Sequence, residues 1–217
     1  MKTENVITSL IRRAGRNKVI AGVICFAIGA VGFNFLLSSY FMLFIFSVLL
    51  LVGVINVVIG IINLALPHKH RAVREAEKLD GIENIERYIE SSEYNGEILF
   101  NAKDLLVSKR YIIGKEGGVR IFRTEDLMWA YHTRTTHRTN GIKTGTSHQL
   151  TLVFCGQKKR YQFVLMEDKI QECLELIGKS LPYVYLGYSD QLDNYAKTSK
   201  TEFEKEWRDR KDGMRIM

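Results

Sequence analysis

Three histidines of the central region, His132, His137 and His148, have side chains of the type that bind transition metals. His132 and His137 are an odd number of positions apart, which on a β-strand places two side chains on opposite faces of the sheet. His148 could instead meet His137 across a hairpin that turns at Asn140-Gly141. No acidic residue close by in the sequence offers a third ligand. The pattern therefore predicts no metal site and no cofactor, and we interpret the three histidines as exposed polar strand residues.

No motif typical of a catalytic centre occurs in the sequence. The run 141–147 is rich in glycine and threonine, but it lacks the GxxxxGK[ST] order and the strand-to-helix setting of a phosphate-binding loop. We interpret it, like the run 114–118, as a flexible hairpin tip. Cys25, Cys155 and Cys173 contain no CxxC pair, so neither a zinc site nor a disulfide framework is predicted. Serine, histidine and acidic residues lack a recognisable catalytic context, and the sequence predicts a non-enzymatic protein.

The candidate for binding is a concentration of positive charge between residues 103 and 160, where 12 Lys/Arg stand against four Asp/Glu. An anionic lipid surface attracts each nearby basic side chain by about 1 kcal/mol. The predicted lipid- or partner-binding residues are Lys109, Arg110, Lys115, Arg120, Arg123, Lys158, Lys159 and Arg160. The alternative is a solvated sheet face whose charge is offset by the acidic segment 72–97. No nucleic-acid-binding module supports a third interpretation.

A long block without charged residues, earlier in the chain, predicts that the protein lies in a membrane. Residues 19–68 contain no Asp, Glu, Lys or Arg, so a purely soluble or disordered protein is excluded. A bilayer core of about 30 Å needs roughly 20 helical residues, and we predict two spans, at 19–37 and 41–66. Ser38-Ser39-Tyr40 interrupts the block, and Pro67 ends the second helix because proline cannot continue its hydrogen bonds. A cleaved signal peptide is the alternative for the first span.

Basic residues on both sides of this block predict its orientation. Residues 1–18 carry five Lys/Arg against one Glu, and Lys69, Arg71 and Arg74 follow the second span. The connecting turn carries no charge, so the positive-inside rule places both termini in the cytosol. The prediction is a multi-pass protein of the cell membrane, with a basic cytosolic N-terminus at 1–18 and a transmembrane hairpin at 19–66.

Small and amide-bearing residues recur along both predicted spans at separations of three and four, which places each set on one helix face. The predicted helix-packing seam comprises Gly22, Cys25, Gly29 and Gly32 on the first span, with Gly53, Asn56, Gly60 and Asn63 on the second. Small residues permit close helix approach in lipid, and Asn amides can hydrogen-bond across the interface. A turn centred on Ser39 would place Asn56 opposite Gly22, whereas a turn one heptad later would place Asn56 opposite Gly29. Alternatives to packing within one hairpin are association of two copies and a polar pathway, but no ionisable residue favours the pathway.

After the block, the pattern changes to an acidic linking helix over 67–96. Apolar residues recur there every three to four positions, as in an amphipathic helix. Asp80-Gly81 could divide this segment into two helices.

Residues 97–189 show the short alternating runs of a β domain. Strands are predicted at 98–100, 105–108, 111–114, 119–122, 127–137, 149–155 and 161–165. The gaps are too short for helical crossovers, so the sheet is mostly antiparallel. Trp129 and Tyr131, which alternate with Leu127, are predicted to form a buried strand face. Glu167–Leu181 then reads as an amphipathic helix that opens with acidic residues.

A last amphipathic helix is predicted within 190–217, capped by Ser189 or Asp190. Phe203 and Trp207 lie on its apolar face, which we expect to dock on the sheet rather than on a second copy or the membrane. The polar end that follows is expected to fray.

The order of these elements resembles the pleckstrin-homology-like (PH-like) arrangement, in which a bent antiparallel sheet is capped by a C-terminal helix. The resemblance covers roughly residues 97–181. Basic hairpin residues of that family often contact anionic headgroups, and the resemblance implies the same role here. Two spans followed by such a domain also resemble uncharacterised bacterial membrane proteins, on the runs Arg110-Tyr111-Ile112-Ile113-Gly114 and Glu125-Asp126-Leu127-Met128-Trp129-Ala130-Tyr131. The helix before the sheet and the long helix after it depart from the PH-like pattern.

The sequence thus predicts an α+β protein: a two-helix transmembrane hairpin, a linking helix, and an antiparallel PH-like β domain with C-terminal helices. The predicted function is that of a membrane protein whose cytosolic module binds a membrane-proximal protein or anionic lipid headgroups. The alternatives are a subunit of a membrane transporter or enzyme complex, and a self-assembling membrane scaffold. Expected partners are the lipid bilayer, a cytosolic or membrane protein, or a second copy, but not nucleic acid.

Overall fold

A computed structural model describes residues 6–35, 40–114, 119–139 and 142–215. The chain forms two compact units, one comprising Met1–Arg87 with Gly117–Arg120 and the other Tyr88–Glu116 with Ile121–Met217. The predicted fold class is confirmed, because two apolar helices precede antiparallel sheets that carry C-terminal helices.

The N-terminal unit is helical. Its helices are α1 (Val6–Phe35), α2 (Tyr40–Ala65) and α3 (Arg71–Leu79), with a 3-10 turn at Pro67–Lys69, and α4 (Ile82–Asn95) follows. By length and composition, Ile7–Gly32 of α1 and Leu43–Ala65 of α2 are long and apolar enough to cross a membrane. The predicted break at Ser38-Ser39 lies outside the described residues.

Helix α1 begins well before the uncharged block. The basic residues Arg12, Arg13, Arg16 and Lys18 are therefore part of this helix rather than of a separate leading segment. Lysine and arginine are good helix formers and do not oppose this extension. The first turn is also held in place, because the backbone N–H of Ile7 donates to Glu86 Oε1 at 3.2 Å. Ile7 and Ile11 are fully buried.

Glycines of the predicted seam lie where α1 and α2 approach each other. Gly22 faces the backbone of Gly53 and Val57, and Gly29 faces Leu50. A Cβ atom on Gly60 would lie 2.8 Å from the Gly15 carbonyl oxygen, and one on Gly32 would overlap the Phe46 ring. Gly53 and Val57, which Gly22 meets, lie on either side of Asn56 along α2, so the level of contact agrees with the first of the two predicted registers.

The two asparagines of the seam behave differently. Asn63 is 9% exposed, and its Cβ lies 3.1 Å from where a Cβ on Gly15 would be. The Asn56 amide instead donates to the Val52 carbonyl of its own helix at 2.9 Å, so its predicted bond across the interface is replaced by a local one. Cys25 is partly buried.

The predicted break in the linking segment is confirmed. Gly81 has φ +82, a backbone conformation that favours glycine, and its N–H donates to the Ala76 carbonyl at the end of α3. At the other end of α3, the His70 imidazole Nδ1 accepts from the Ala72 N–H at 3.1 Å. A histidine therefore caps this helix in place of the usual Ser, Thr, Asp or Asn.

The second unit contains two four-stranded sheets. The strands are β1 (Ile98–Ala102), β2 (Leu105–Ser108), β3 (Tyr111–Gly114), β4 (Arg120–Arg123), β5 (Leu127–Thr139), β6 (Ile142–Phe154), β7 (Tyr161–Val164) and β8 (Tyr185–Leu186). The first sheet has the order β1-β2-β3-β4 and the second the order β7-β6-β5-β8. Four pairs, β1–β2, β2–β3, β5–β6 and β6–β7, are antiparallel as predicted, whereas β8 pairs parallel with β5. Strand β6 begins at Ile142, so the prediction of a flexible tip over 141–147 is wrong for all but its first residue, which lies outside the described residues.

Three helices, α5 (Glu167–Ser180), α6 (Asp190–Thr198) and α7 (Lys200–Arg215), cover the second sheet on both faces. On the inner face, α5 closes a core that both sheets line, with Ile170, Cys173 and Ile177 fully buried. On the outer face, Phe203 and Trp207 of α7 pack on a second cluster formed by β5 and β6. Docking of this C-terminal apolar face on the sheet is therefore confirmed.

A β-bulge at Met128 changes which side chains share a face. Leu127 pairs with Phe154, but Trp129 pairs with Val153, so one extra residue is inserted in β5. Leu127 consequently lies in the inner core, while Trp129 and Tyr131 lie in the outer cluster. The predicted burial of Trp129 and Tyr131 is confirmed, whereas the placement of Leu127 on their face is wrong because of the bulge.

The predicted single C-terminal helix is in fact two, which meet at Ser199. Ser189 caps the first, since its Oγ accepts from the Leu192 N–H at 3.1 Å. The polar end that was expected to fray is helical to Arg215, and residues 216–217 lie outside the described residues. Lys211 explains this: its Nζ donates to the Glu125 carbonyl at 2.6 Å and lies over the Trp207 ring.

Candidate anion-binding pocket

A cavity of about 280 Å³ opens on the outer face of the second sheet, where the β6–β7 turn meets α6 and α7. Its apolar floor is formed by Met128, Val153, Ala196 and Phe203. Its polar walls are formed by Gln157, Lys158, Lys159, Arg160, Lys197 and Lys200. Five cationic side chains therefore converge on one concave surface, which we call the basic pocket.

The turn that carries Lys158 and Lys159 is fixed to helix α7. Gly156 has φ +73, which permits the tight reversal after β6. Its N–H donates to Glu204 Oε1 at 3.1 Å, and Lys200 Nζ donates to the Gln157 carbonyl at 2.9 Å. These two bonds hold the turn against α7, so the position of the lysines that follow is set by tertiary structure.

Arg160 is held on three sides. Its guanidinium donates to the Tyr131 hydroxyl at 3.0 Å, forms an ion pair with Asp193 Oδ1, and lies 5.5 Å from the centre of the Trp129 ring. An arginine with a carboxylate, a hydroxyl and an aromatic face is fixed in direction. Arg160 thus serves chiefly as a structural wall of the basic pocket.

The Asp193 carboxylate contacts cations from two sides of the pocket: Arg160, just before β7, and Lys197 on α6. It is 6% exposed, and its Oδ2 lies 2.7 Å from Lys197 Nζ. The hydrogen bond from Lys197, followed by that from Arg160, holds the pKa of the Asp193 carboxyl below its ordinary value against the opposing effect of burial. Two of the five cations are therefore compensated by one buried anion.

Lys158 and Lys159 differ from the other cations of the pocket. Both are exposed, and among the described residues no carboxylate lies within ion-pair distance of either. Lys200 lies 3.4 Å from Glu204 Oε1. Two uncompensated ammonium groups beside a cavity make it attractive to an anion, and a phosphate group offers the acceptor oxygens they need.

The structure does not bring all the predicted binding residues to this pocket. Only Lys158, Lys159 and Arg160 line it. Lys109 and Arg110 lie in the β2–β3 turn, and the Arg110 guanidinium stands 5.8 and 5.9 Å from the centres of the Tyr88 and Tyr111 rings. The predicted residue Lys115 lies outside the described residues.

The two arginines that begin and end β4 have acidic neighbours. Arg120 Nη1 lies 2.7 Å from Glu75 Oε1 on α3, and Arg123 Nη1 lies 3.8 Å from Glu125 Oε1. For Arg120, the structure shows the compensation by the acidic segment that the sequence offered as an alternative. A half-exposed pair such as Arg123–Glu125 contributes about 0–1 kcal/mol to stability.

Lys197 and Lys200 were not predicted as binding residues. They come from the C-terminal helices, far in sequence from the basic stretch. Lys200 is three positions from Phe203, and a three-residue separation places both on one helix face once that face docks. The sequence contains this three-residue spacing, but the spacing points to the pocket only once it is known that α7 packs on the second sheet.

The histidines are paired differently from the expectation. His132 Nε2 lies 3.0 Å from His148 Nδ1, whereas His137 Nε2 lies 3.0 Å from Ser147 Oγ. His148 therefore meets His132 rather than His137, because Arg134 is its direct partner across the β5–β6 ladder and His132 lies diagonally beside it. An acidic side chain is also close, since Glu167 Oε2 lies 3.6 Å from His148 Nδ1. The expectation of no nearby carboxylate is wrong because Glu167 approaches through the fold.

One family of proteins matches this chain. The model of a domain of unknown function, DUF6709, matches residues 80–196, which is more than half of the sequence. The match covers α4, both sheets, α5 and most of α6, and so includes the residues that line the basic pocket except Lys197, Lys200 and Phe203. No curated protein and no solved structure matches the chain. On the strength of the family match, the protein belongs to the DUF6709 family.

Proposed function

We propose that this protein is a non-enzymatic, membrane-anchored module that binds the phosphate-bearing headgroup of an anionic lipid in its basic pocket. The observation that carries the proposal is the pair of uncompensated lysines, Lys158 and Lys159, on a cavity whose other cations are already anchored. The anchored cations fix the shape of the cavity, while the two lysines supply the net attraction for an anion.

The exposed apolar surface of α1 and α2 supports the membrane anchoring in this proposal. Side chains that point away from the helix–helix contact are large and apolar: Ile20, Val23, Ile24, Phe26, Ile28, Leu51, Val54, Ile55, Ile61 and Ile62 are each 46–61% exposed. Exposure of this apolar surface to water is unfavourable, whereas the lipid chains of a bilayer would cover it. The two helices therefore serve as the anchor.

The proposed orientation has the second unit in the cytosol. Basic residues 12–18 of α1 and the cations Lys69, Arg71 and Arg74 after α2 lie at the same end of an antiparallel hairpin. The positive-inside rule assigns that end to the cytosolic side, where anionic lipids are abundant. The second unit, which carries the basic pocket, is then on the side of the membrane where its proposed ligand is found.

We further infer that the second unit is PH-like. Two four-stranded sheets that enclose one core, with α5 closing it, support this relationship. Helices α6 and α7, which cover the outer sheet face, are an addition to that arrangement. The addition matters for function because α6 and α7 supply one wall of the basic pocket.

A titration of the full-length protein in neutral detergent micelles tests the proposal. Short-chain phosphatidylglycerol, short-chain phosphatidylcholine and inorganic phosphate are the three titrants, with calorimetry as the readout. The K158S/K159S double variant removes two basic contacts of about 1 kcal/mol each, so phosphatidylglycerol affinity falls about 30-fold.

The matched control is K78S/K103S, which removes two exposed lysines outside the pocket and leaves the affinity unchanged. Equal binding of phosphatidylcholine, or an unchanged affinity in K158S/K159S, contradicts the lipid proposal. Binding of inorganic phosphate as tight as that of phosphatidylglycerol identifies a soluble phosphate ligand instead.

A further inference from the structure

Two imidazoles and a carboxylate meet on the inner face of the second sheet. His132 of β5 follows the buried Ala130 on that face, and His148 of β6 precedes the buried Leu150. Glu167, the first residue of α5, reaches the same place because α5 packs across that face through Ile170. The three side chains come from three separate elements, so only the assembled fold brings them together.

The distances between their ligand atoms fit a single small ion. His132 Nε2 and His148 Nδ1 lie 3.0 Å apart, His148 Nδ1 and Glu167 Oε2 lie 3.6 Å apart, and all three ligand atoms fall within 4.8 Å of one another. In a tetrahedral zinc site with bonds of about 2.0–2.1 Å, neighbouring ligand atoms are separated by about 3.3 Å. Two of the observed separations bracket that value.

We propose that His132, His148 and Glu167 form a binding site for a divalent transition-metal ion, with Zn²⁺ the best match. Two imidazole nitrogens and one carboxylate oxygen are a ligand set that zinc takes with a fourth, exchangeable ligand. The strands hold the two partly buried imidazoles, while the Glu167 side chain is 58% exposed and free to close the last distance.

The metal-free contact between the histidines is already suited to this role. The donor in this contact is whichever ring carries its proton on the facing nitrogen, and the other ring accepts with its lone pair. Metal binding requires the donating ring to carry its proton on its other nitrogen, so that both facing nitrogens present lone pairs to the ion.

The metal site and the basic pocket use opposite faces of the second sheet. The pocket floor includes Met128 and Val153 of the outer cluster, whereas His132 and His148 follow the inner face. Substitutions in one site therefore leave the other in place, and failure of the lipid proposal leaves the metal proposal standing.

Metal titration of the full-length protein tests the inference, in neutral detergent, after chelator treatment and with a purification tag free of histidine. Co²⁺ as a spectroscopic probe is expected to give visible d–d bands that saturate at one ion per chain, and Zn²⁺ displaces it. Loss of even an outer-shell partner costs about 10 to 100-fold in metal affinity. H132A and H148A are therefore each expected to weaken Zn²⁺ binding more than about a hundredfold.

Two variants serve as matched controls. H137A removes the neighbouring histidine that contacts Ser147, and D168N removes the acidic residue next to Glu167 in the same helix turn. Both are expected to bind Zn²⁺ as the unaltered protein does. E167Q changes an exposed side chain and is expected to fold normally, to weaken binding, and to lose the rise in melting temperature that Zn²⁺ produces in the unaltered protein.

The inference is overturned if Co²⁺ gives no saturable bands, or if H148A and E167Q bind Zn²⁺ as tightly as H137A and D168N. In either case the two histidines form only the hydrogen bond between their rings.

Discussion

A Cβ atom on Gly22 of α1 would lie 2.7 Å from the carbonyl oxygen of Gly53 on α2. No real Cβ atom approaches a backbone oxygen so closely, so the two helices meet backbone to backbone at this point. Gly53 makes the contact reciprocal, since a Cβ added there would lie 2.9 Å from the Gly22 carbonyl oxygen. At this point each of the two helices therefore contributes a glycine to the contact, Gly22 from α1 and Gly53 from α2.

Replacing Gly22 with leucine is expected to separate α1 from α2. Overpacking of a tight contact costs about 1–3 kcal/mol, and the backbone atoms opposite cannot move aside as a flexible side chain would. The free energy of unfolding in mixed micelles, followed by circular dichroism, measures the loss. A21L is the control, because Ala21 is the adjacent residue and is exposed. Equal loss in the two variants would show that the seam is not the cause.

Acidification is expected to weaken the N-terminus of α3. Burial lowers the pKa of His70, with Lys18, Arg120 and Arg74 acting in the same direction and Glu75 opposing them. A histidine with a lowered pKa stays neutral in the folded protein while the unfolded chain takes up a proton. Its contribution to stability is therefore complete above the ordinary imidazole pKa of about 6.5 and is lost as the pH falls below it. Protonation would also remove the Nδ1 acceptor that caps Ala72.

The measurement is the melting temperature of the full-length protein in detergent at pH 8 and at pH 5.5. H70N keeps a capping side chain but cannot titrate in this range, so its melting temperature is expected to fall less than that of the unaltered protein. A fall of the same size in both proteins would remove His70 as the source of the pH dependence.

The two cysteines of the second unit are expected to differ in reactivity. Burial, with Glu172 alongside, raises the pKa of the Cys173 thiol to about 12, and Cys173 is fully buried in the inner core. The thiolate is the reactive form, so iodoacetamide at pH 8 should leave Cys173 unmodified. Cys155 is partly exposed beside Arg208 and is expected to react. Peptide mass spectrometry before and after denaturation checks this, and early labelling of Cys173 would contradict its burial.

Docking of α7 is expected to depend on the shape of Trp207 rather than on its N–H group. Trp207 is 2% exposed, yet among the described residues its indole Nε1 has no hydrogen-bond partner. W207A leaves a cavity and should cost about 3–5 kcal/mol of stability. W207F keeps part of the apolar contact and loses no hydrogen bond, so it should cost clearly less than W207A. Urea unfolding followed by near-ultraviolet circular dichroism distinguishes them, and equal losses would show that the N–H group matters.

Local patterns in the sequence determined most of the elements. The uncharged block, the break at Gly81, the alternating strands and α5 each follow from residue types within a few positions of one another. Charge distribution also identified Lys158, Lys159 and Arg160 as candidate binding residues. The predictions of helices, strands and turns succeed because helix periodicity, strand alternation and turn conformations are properties of neighbouring residues, whereas the binding role of the three basic residues stays a prediction.

Tertiary structure decided which side chains meet. The bulge at Met128 moved Leu127 to the inner core, and the β5–β6 register joined His148 to His132 instead of His137. Docking of α6 and α7 brought Lys197 and Lys200 to the lysines of the β6–β7 turn. Each of these outcomes depends on pairing or packing between distant parts of the chain. A shift of one residue reverses the face of every later side chain in a strand, so no local pattern fixes them.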